Sequence, residues 1–323
     1  MDNNTALLLP FVMYLTCFIM VALATAVYVA VDCDADQYSS EQHRQPVWIV
    51  TGCAHGIGFE TASAALNRGA TVEMWDIRRD ALAEAAVTLS RRTGGRIATR
   101  VVDVGDAAAV RAAAAAALAQ HGEIDVVVSN AGVVSGCDIE LLSAGDVDRT
   151  FRVNVYATFN LLREFLPAAR ARRRGTFVIV GSIMGTVGSA RLSDYCASKW
   201  ALQGLVESFR LELARDGLAG AIPVILVRPW AVSTNMFPGI FEDKRARNVL
   251  RSLLFPMLHA SGVAASIVAA VVRGRSAVIT LPWYAMPALM FGRLLPLRQM
   301  DAVAGWMGGF HGMSAFRPPP VAA

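Results

Sequence analysis

Residues 47 to 58 read Val47-Trp48-Ile49-Val50-Thr51-Gly52-Cys53-Ala54-His55-Gly56-Ile57-Gly58. Apolar and β-branched residues come first and predict a buried strand, and glycines follow where a helix would begin. We expect Gly52 to allow a tight turn, Gly56 to let backbone amides approach a phosphate, and Gly58 to let the helix pack closely. The run therefore predicts a pyrophosphate site of a dinucleotide. Its other candidate cofactor contacts are Thr51, His55 and Ile57.

Further apolar runs follow this stretch and alternate with helical segments, a pattern typical of parallel βαβ units. Strands covered by helices on both faces need near-continuous apolar sequence, because neither face meets water. The sequence therefore predicts an α/β fold, a Rossmann-like doubly wound parallel sheet forming a single domain over residues 46–281. The runs lie at residues 71–75, 97–102, 124–128, 176–180, 222–227 and 277–280.

The composition excludes several classes of protein. Of the 323 residues, 54% are apolar and 17% are charged, whereas roughly 25% charged residues are expected in a soluble domain. Part of the chain is therefore predicted to lie in lipid. The net charge of +4 is small and the arginines are scattered, so no nucleic-acid partner is expected. The cysteines show neither CxxC spacing nor a histidine cluster, so neither a metal site nor a disulfide framework is predicted.

Residues 6–31 carry no charge, and they exceed the ~20 residues that a helix needs to cross a bilayer. We predict a tail over residues 1–5, a single-pass transmembrane anchor over residues 6–31 and a linker over residues 32–45. A cleaved signal peptide is the alternative. The anchor is favoured because the apolar stretch is longer than the ~7–15 residues of a signal sequence and no basic residue precedes it.

An acidic residue, Asp76, ends the second predicted strand, about 20 residues after the glycine turn, where a carboxylate accepts hydrogen bonds from the adenosine ribose. A carboxylate would repel the additional phosphate of NADP, so the sequence favours NAD(H). Arg78 and Arg79 follow closely and keep NADP(H) open as the alternative.

More candidate cofactor contacts follow the third and fourth strands, at the edge where open α/β sheets bind ligands. Asp103 and Val104 follow the third strand, although an isolated aspartate is by default a turn residue. Asn130, Ala131 and Gly132 follow the fourth.

Tyr195 and Lys199 stand four residues apart, which places both side chains on one face of a helix. A phenol with a pKa of ~10 is a poor base at neutral pH. We expect Lys199 and a positively charged nicotinamide ring to lower the pKa of Tyr195, which then acts as the general base in oxidation and as the proton donor in reduction. Ser182, after the fifth strand, would hydrogen-bond the substrate oxygen. Asn154 lies in a helical stretch where asparagine is unfavourable, which indicates a special role.

In the order and spacing of these motifs the sequence resembles the short-chain dehydrogenase/reductase family, over about residues 46–281. The resemblance implies that Asn154 holds a water linking Lys199 to a proton relay, that Lys199 also binds the nicotinamide ribose, and that Ser182 orients the substrate. It also implies a homodimer through helices spanning about 146–170 and 194–215. Further implied cofactor contacts are Pro229, Val232 and Thr234. The family has Pro-Gly where this chain has Pro229-Trp230, and Trp230 is expected to narrow the pocket.

The anchor, the Trp75-Asp76-Ile77 run and the Thr234-Asn235-Met236-Phe237 segment resemble the membrane-bound branch of retinol and hydroxysteroid dehydrogenases of the endoplasmic reticulum and lipid droplets. This resemblance implies a location in one or both of those membranes, with a cytosolic catalytic domain. A tethered enzyme gains most when its substrate partitions into the same bilayer. A lipophilic retinoid, steroid or fatty alcohol is therefore the expected substrate.

Residues 282–323 form an apolar extension broken by prolines. It is expected to be either an interfacial segment or substrate-entry flap, or an ordinary extension packed on the core. A second membrane span is disfavoured by Arg293 and Arg298. Two other functions stay open, an NADPH-dependent ketolipid reductase and a catalytically idle NAD-binding scaffold. The presence of both Tyr195 and Lys199 is evidence against the scaffold.

Overall fold

A computed structural model of the protein describes residues 44–234, 236–240, 242, 252, 255–285 and 292–316. The predicted tail, the anchor over residues 6–31 and most of the linker lie outside the described residues. Within the described ranges, no helix is both long and apolar enough to cross a bilayer.

The core of the fold is a parallel seven-stranded sheet with the order β3-β2-β1-β4-β5-β6-β7. The predicted single-domain α/β, Rossmann-like doubly wound sheet is confirmed. The strand order reverses between β1 and β4, and ligands of such sheets bind at this switch point, beyond the carboxyl ends of the strands. The strands are β1 Val47–Thr51, β2 Thr71–Asp76, β3 Ile97–Val101, β4 Val126–Ser129, β5 Thr176–Val180, β6 Val224–Pro229 and β7 Ala277–Leu281.

Helices cover both faces of the sheet, and local sequence explains where several of them begin and end. Asp106 caps the helix Ala107–His121 by accepting hydrogen bonds from the backbone of Ala108 and Ala109. Ser143 and Asp146 form a capping box at the start of the helix Ala144–Phe151. The helices are α1 Gly56–Leu66, α2 Arg79–Thr93, α3 Ala107–His121, α4 Ala144–Phe151, α5 Ala157–Arg172, α6 Ser193–Arg215, α7 Ala260–Arg273 and α8 Leu297–Trp306.

The hydrophobic core has one layer on each face of the sheet. Ile49 of β1 packs into the layer that contains α3, α5 and α6, and its neighbour Val50 packs into the layer that contains α1, α2 and α7. Successive side chains of a strand point to opposite faces, so a sheet covered on both sides must be apolar at every position. This explains why the predicted strands are continuous apolar runs.

The described chain enters the domain at the amino edge of the sheet, which is the edge away from the switch point. Arg44 donates hydrogen bonds of 2.8 Å to both carboxylate oxygens of Asp125, just before β4. Asp125 Oδ2 also accepts a hydrogen bond of 2.8 Å from the backbone N–H of Val47, the first residue of β1. The Arg44–Asp125 pair therefore fixes the point where β1 begins.

Candidate active site

A cavity of about 650 Å³ opens beyond the carboxyl ends of the strands. Three predicted site residues, Thr51, Gly58 and Asn154, are not among its lining residues. The other predicted residues are brought together in its wall, namely Gly52, His55, Gly56, Ile57, Asp76, Asp103, Val104, Asn130, Ala131, Gly132, Ser182, Tyr195, Lys199, Pro229, Val232 and Thr234.

The glycine turn joins β1 to α1 at one end of the cavity. Gly52 and Gly56 have φ angles of 62° and 63°, a region that favours glycine. A Cβ added to Gly58 would lie 2.6 Å from Nδ2 of Asn130 and 2.9 Å from Cα of Cys53. Gly58 is therefore needed for close packing of α1 on the turn itself. A helix N-terminus behind a glycine turn suits the pyrophosphate of a dinucleotide.

Two of the predicted cofactor contacts, Thr51 and Asn130, form hydrogen bonds that stabilise this turn. Asn130 donates from Nδ2 to the carbonyl oxygens of Thr51, at 2.9 Å, and of Gly52, at 3.1 Å. The hydroxyl of Thr51 accepts hydrogen bonds from the backbone N–H groups of Asn130 and Ala131. The hydrogen bonds of both side chains therefore link β1 to β4 and hold the glycine turn in place.

The carboxylate of Asp76 lies at the end of β2, nearly buried at 7% exposure, and lines the cavity. It accepts hydrogen bonds of 3.0 Å from the backbone N–H groups of Ala54 and Arg78. The Arg78 side chain is partly exposed, with its Nε 3.5 Å from Asp76 Oδ1. Both charges therefore stand where the adenosine ribose would bind. Burial and the positive charge of Arg78 lower the pKa of the neighbouring His55.

Asp103 and Val104 lie at the adenine end of the cavity expected from the strand order. Asp103 accepts a hydrogen bond of 2.9 Å from the backbone N–H of Gly105, as a turn aspartate does. Its other carboxylate oxygen lies 3.3 Å from a guanidinium nitrogen of Arg152. Asp103 thus shapes the turn and also pairs with a cation in the wall of the same cavity.

Tyr195, on the first turn of α6, is buried at 5% exposure with its phenol in the cavity wall. Burial raises the pKa of Tyr195 strongly, and a hydrogen bond with the Ser182 side chain opposes that rise. Ser182 caps a short 3₁₀ turn, Ile183–Gly185, by accepting from the backbone N–H of Met184. The end of β5 therefore presents the Ser182 hydroxyl to the phenol.

Lys199 lies one helical turn after Tyr195, as expected. Its Nζ donates a hydrogen bond of 3.0 Å to the carbonyl oxygen of Val180 and lies 5.6 Å from the centroid of the Tyr195 ring. Burial lowers the pKa of Lys199 to about 8. Desolvation of the phenol determines the direction of the Tyr195 pKa shift in the protein itself, and the lowering expected from Lys199 together with a nicotinamide ring stays a prediction.

Asn154 lies in a π-helical turn, Arg152–Tyr156, which joins α4 to α5. Its Oδ1 accepts a hydrogen bond of 2.8 Å from the backbone N–H of Val133, and its Nδ2 donates to the carbonyl oxygen of Val133 and to the Ser198 hydroxyl, each at 3.0 Å. A Cβ on Gly132 would lie 3.4 Å from Asn154 Oδ1 and 3.8 Å from Lys199 Nζ. Asn154 and Lys199 therefore both lie next to Gly132, with Gly132 and Lys199 in the cavity wall and Asn154 behind it.

The opposite wall of the cavity is apolar, and the sequence reasoning did not identify most of it. Phe237 packs edge-on against the Tyr195 ring, with 5.6 Å between ring centroids. Trp230 also lines the cavity, and its ring packs on Phe255 at 5.5 Å. Trp230 was expected to narrow the pocket and does line it, and Phe237 belongs to the segment that resembles the membrane-bound branch. No motif marks the remaining apolar residues, because the fold brings ordinary apolar side chains together. The other apolar lining residues around Tyr195 are Val134, Met184, Leu192, Met236 and Ile240.

A glycine turn, an acid at the end of β2 and a buried tyrosine–lysine pair in one cavity define a nicotinamide-dependent oxidoreductase of the Rossmann class. The chain belongs to the short-chain dehydrogenase family, whose model matches residues 46–245. It is an NAD(P)-dependent alcohol dehydrogenase or carbonyl reductase, in the retinol and hydroxysteroid dehydrogenase branch.

Several curated relatives carry this similarity over most of the domain. The chain is 29% identical over 268 residues to the bovine short-chain dehydrogenase/reductase family 16C member 6, covering 83% of this chain and 82% of the relative. It is 32% identical over 235 residues to zebrafish retinol dehydrogenase 10-A, covering 65% and 67%. It is 34% identical over 208 residues to an Arabidopsis thaliana 3-dehydrosphinganine reductase, covering 64% and 60%.

Solved structures show the same fold. A short-chain dehydrogenase from Streptomyces avermitilis is 28% identical, with a TM-score of 0.65, and the match covers 81% of this chain and 96% of that one. A metagenomic short-chain oxidoreductase in complex with NADP is also 28% identical, with a TM-score of 0.58 and coverage of 73% and 95%.

Proposed function

We propose that the protein transfers hydride between a nicotinamide cofactor and a lipophilic alcohol or carbonyl compound, namely a retinoid, a steroid or a fatty alcohol. The observation that carries the proposal is the apolar wall that faces the Tyr195 phenol, formed by Val134, Leu192, Met236 and Phe237. Such a wall gains free energy by burying hydrocarbon and offers few hydrogen bonds to a sugar or other polar substrate.

Three residues of this chain, Tyr195, Ser182 and Lys199, have distinct roles near the substrate oxygen. In oxidation the Tyr195 oxygen takes the hydroxyl proton, and in reduction it returns a proton to the alkoxide oxygen. The Ser182 hydroxyl hydrogen-bonds the same substrate oxygen and holds it next to the phenol. Lys199, when protonated, stabilises the phenolate through space. A bound nicotinamide supplies the hydride acceptor or donor.

The proposed cofactor is NAD(H). Asp76 accepts two backbone hydrogen bonds in the cavity wall and presents a negative charge where NADP carries its additional phosphate. Replacing Asp76 with serine should therefore raise kcat/KM for NADP(H) relative to NAD(H), by about tenfold if the substitution removes ~1.4 kcal/mol of repulsion. An unchanged ratio would argue against this assignment of Asp76.

The proposed setting is a membrane. The uncharged residues 6–31 support a single-pass anchor. The location that we propose is the endoplasmic reticulum or lipid droplets, with the catalytic domain in the cytosol, and it rests on the resemblance of the sequence to the membrane-bound branch. A homodimer through α5 and α6 is also proposed, because the exposed Phe159 and the partly buried Leu205 line an apolar groove between these helices.

The second candidate is an NADPH-dependent reductase of a ketolipid. Two observations favour it, namely the Arg78 guanidinium beside Asp76 and the similarity to a 3-dehydrosphinganine reductase. A guanidinium pairs well with a phosphate, so Arg78 would bind the additional phosphate of NADPH in that case. The substrate would still be lipophilic, and only cofactor and direction would differ.

The test is an assay of the full chain in detergent with retinol, estradiol and long-chain alcohols, each with NAD and NADP. Tyr195→Phe is the matched variant, since it lacks only the phenol oxygen. We expect turnover of at least one lipid alcohol and a loss of about 10²–10⁴-fold in kcat in the variant, with cofactor binding retained. Inactivity of the unaltered chain on all lipid alcohols with both cofactors would remove the proposed substrate class. A parallel assay in the direction of reduction, with a ketolipid and NADH or NADPH, tests the second candidate, and activity there with NADPH alone would support it.

A further inference from the structure

The C-terminal segment 313–316 returns to the active site and packs behind its apolar wall. Met313 and Phe316 are buried at 3% and 5% exposure. They form one hydrophobic cluster with Tyr195 and with the cavity residues Val134 and Leu192. Segment 313–316 is therefore part of the layer that encloses the substrate side of the cavity, although neither Met313 nor Phe316 lines the cavity.

Phe237 connects Phe316 to the catalytic tyrosine. The centroid of the Phe237 ring lies 5.6 Å from that of Tyr195 and 6.3 Å from that of Phe316. Phe237 itself lines the cavity. The three rings therefore form one contiguous row from the catalytic tyrosine to the C-terminal segment, with Phe237 in the middle.

Two glycines, Gly136 and Gly239, leave the space in which segment 313–316 packs. A Cβ added to Gly136, which has a φ of 73°, would overlap the Phe316 ring and lie within 3.1 Å of Cζ as well as closer to two other ring carbons. A Cβ added to Gly239, which has a φ of 82°, would lie 3.0 Å from the carbonyl carbon of Ala315. A side chain at either position would therefore collide with segment 313–316, which packs directly on both glycines.

Arg191 fixes the position of segment 313–316 through hydrogen bonds. Its Nη1 donates hydrogen bonds to the carbonyl oxygens of Met313, at 2.5 Å, and Ser314, at 3.2 Å. Arg191 has a φ of 65° and directly precedes Leu192, which lines the cavity. The same loop that leads into the catalytic helix α6 therefore holds segment 313–316 against the apolar wall.

We propose that Phe316 is a specificity-determining residue, which closes the apolar end of the substrate cavity behind Phe237 and sets the length of hydrocarbon that the cavity accepts. The inference rests on the proposed function, because it concerns the lipophilic substrate of the same site. Removing the Phe316 ring leaves space into which Phe237 turns, so the cavity becomes deeper. Each additional methylene of substrate that is buried there contributes ~0.8 kcal/mol, about a fourfold gain in kcat/KM.

The test measures kcat/KM of the full chain for a homologous series of straight-chain primary alcohols from short to long. Phe316→Ala should move the optimum to longer alcohols and raise the ratio of kcat/KM for the longest to that for the shortest by about tenfold or more, which is roughly two buried methylenes. Phe310→Ala is the matched control, since Phe310 belongs to the same part of the chain but is 54% exposed. It should leave the profile unchanged.

Arg191→Gln is the second variant and covers the case in which Phe316→Ala does not fold. It keeps Phe316 but weakens the hydrogen bonds to Met313 and Ser314, so the profile should shift in the same direction by a smaller factor. An unchanged profile in a folded, active Phe316→Ala protein, or in Arg191→Gln if Phe316→Ala does not fold, overturns the inference and leaves the proposed function standing. If the unaltered chain turns over none of the straight-chain alcohols, the inference fails, and the proposed function is then decided by the separate assay with retinol and estradiol.

Discussion

At the scale of single residues, the buried Tyr195 phenol dominates the chemistry. Its burial favours the neutral form, which is the form that donates a proton in reduction. The sequence predicted the right neighbours for this group, since the spacing of Tyr195 and Lys199 fixes one helical face. The sequence could not predict whether desolvation or the nearby positive charges have the larger effect on the Tyr195 pKa. Desolvation depends on Val134, Phe237 and other residues that are distant in sequence.

The raised pKa of Tyr195 predicts opposite pH profiles for the two directions. Oxidation needs the phenolate, so its kcat/KM should rise with pH between about 7 and 10. Reduction needs the neutral phenol, so its kcat/KM should stay level at neutral pH and fall only on the alkaline side. Initial rates in both directions over this range test the prediction. An oxidation rate that is already level at neutral pH would show that the bound complex lowers the phenol pKa far more than the protein alone does.

Lys199 is predicted to lower the free energy of unfolding, although activity requires it. Its pKa of about 8 in the folded protein lies below the ~10.4 of an unfolded lysine. The unfolded chain therefore binds more protons between these values, and the free energy of unfolding rises as pH increases through this window. At pH 7 the buried charge costs about 3 kcal/mol, and the hydrogen bond to Val180 returns ~1 kcal/mol.

Lys199→Met should accordingly unfold in urea with a free energy about 2 kcal/mol higher at neutral pH, with little advantage left near pH 10.5. Its activity should be largely lost. Arg210→Met, which removes an exposed cation from the same helix, is the control and should change neither property much. Equal stability of the Lys199→Met protein and the unaltered chain at neutral pH would contradict the sign of this argument.

At the scale of elements, the sequence predicted every strand of the sheet to within a few residues. The run at 222–227 corresponds to β6, which begins two residues later and continues to Pro229. The strand β6 continues because Arg228 and Pro229 pair with Thr280 and Leu281 of β7, and such pairing is not encoded locally. The π-helical turn at Arg152–Tyr156 could not be predicted, since it accompanies hydrogen bonds of Asn154 to Val133, a residue on another loop.

The packing of α1 on the glycine turn predicts a contrast between two glycine substitutions. Gly58→Ala places a Cβ 2.6 Å from Asn130 Nδ2, so it should displace the turn and weaken cofactor binding by about tenfold or more, with a loss of 1–3 kcal/mol of stability. Gly262→Ala, in α7 with nothing within 4 Å of its new Cβ, should stabilise the protein by about 0.5–1 kcal/mol. Fluorescence titration with the cofactor and thermal melts separate the two outcomes. Equal cofactor affinity of the two variants would argue against the packing role of Gly58.

At the scale of the whole molecule, the return of the C-terminal segment to the active site was the least predictable feature. Gly136 and Phe316 are in contact but 180 positions apart in the sequence. Neither periodicity nor a motif links them. The sequence left an interfacial segment and a packed extension as alternatives for residues 282–323. Within this extension, the described residues 292–316 pack against the loop 186–191 and the apolar wall.

The proposed homodimer predicts the effect of a charge in the groove between α5 and α6. Phe159 is 44% exposed there, so Phe159→Arg should place a cation in a buried apolar interface and dissociate the dimer. Val87→Arg is the control, because Val87 is 50% exposed on α2, away from this groove. Light scattering of both proteins in detergent measures the mass. Dimers of Phe159→Arg that are as stable as those of the control would place the interface elsewhere.

The Arg44–Asp125 pair also has a practical consequence for handling the protein. Any sequence upstream of Arg44 joins the domain at the amino ends of β1 and β4, and the cavity opens beyond the carboxyl ends. The five residues of β1, at ~3.3 Å each, separate the two by about 17 Å. A fluorescent reporter or an attachment to a solid support should therefore be placed at the amino end, and a shortened recombinant chain should retain Arg44.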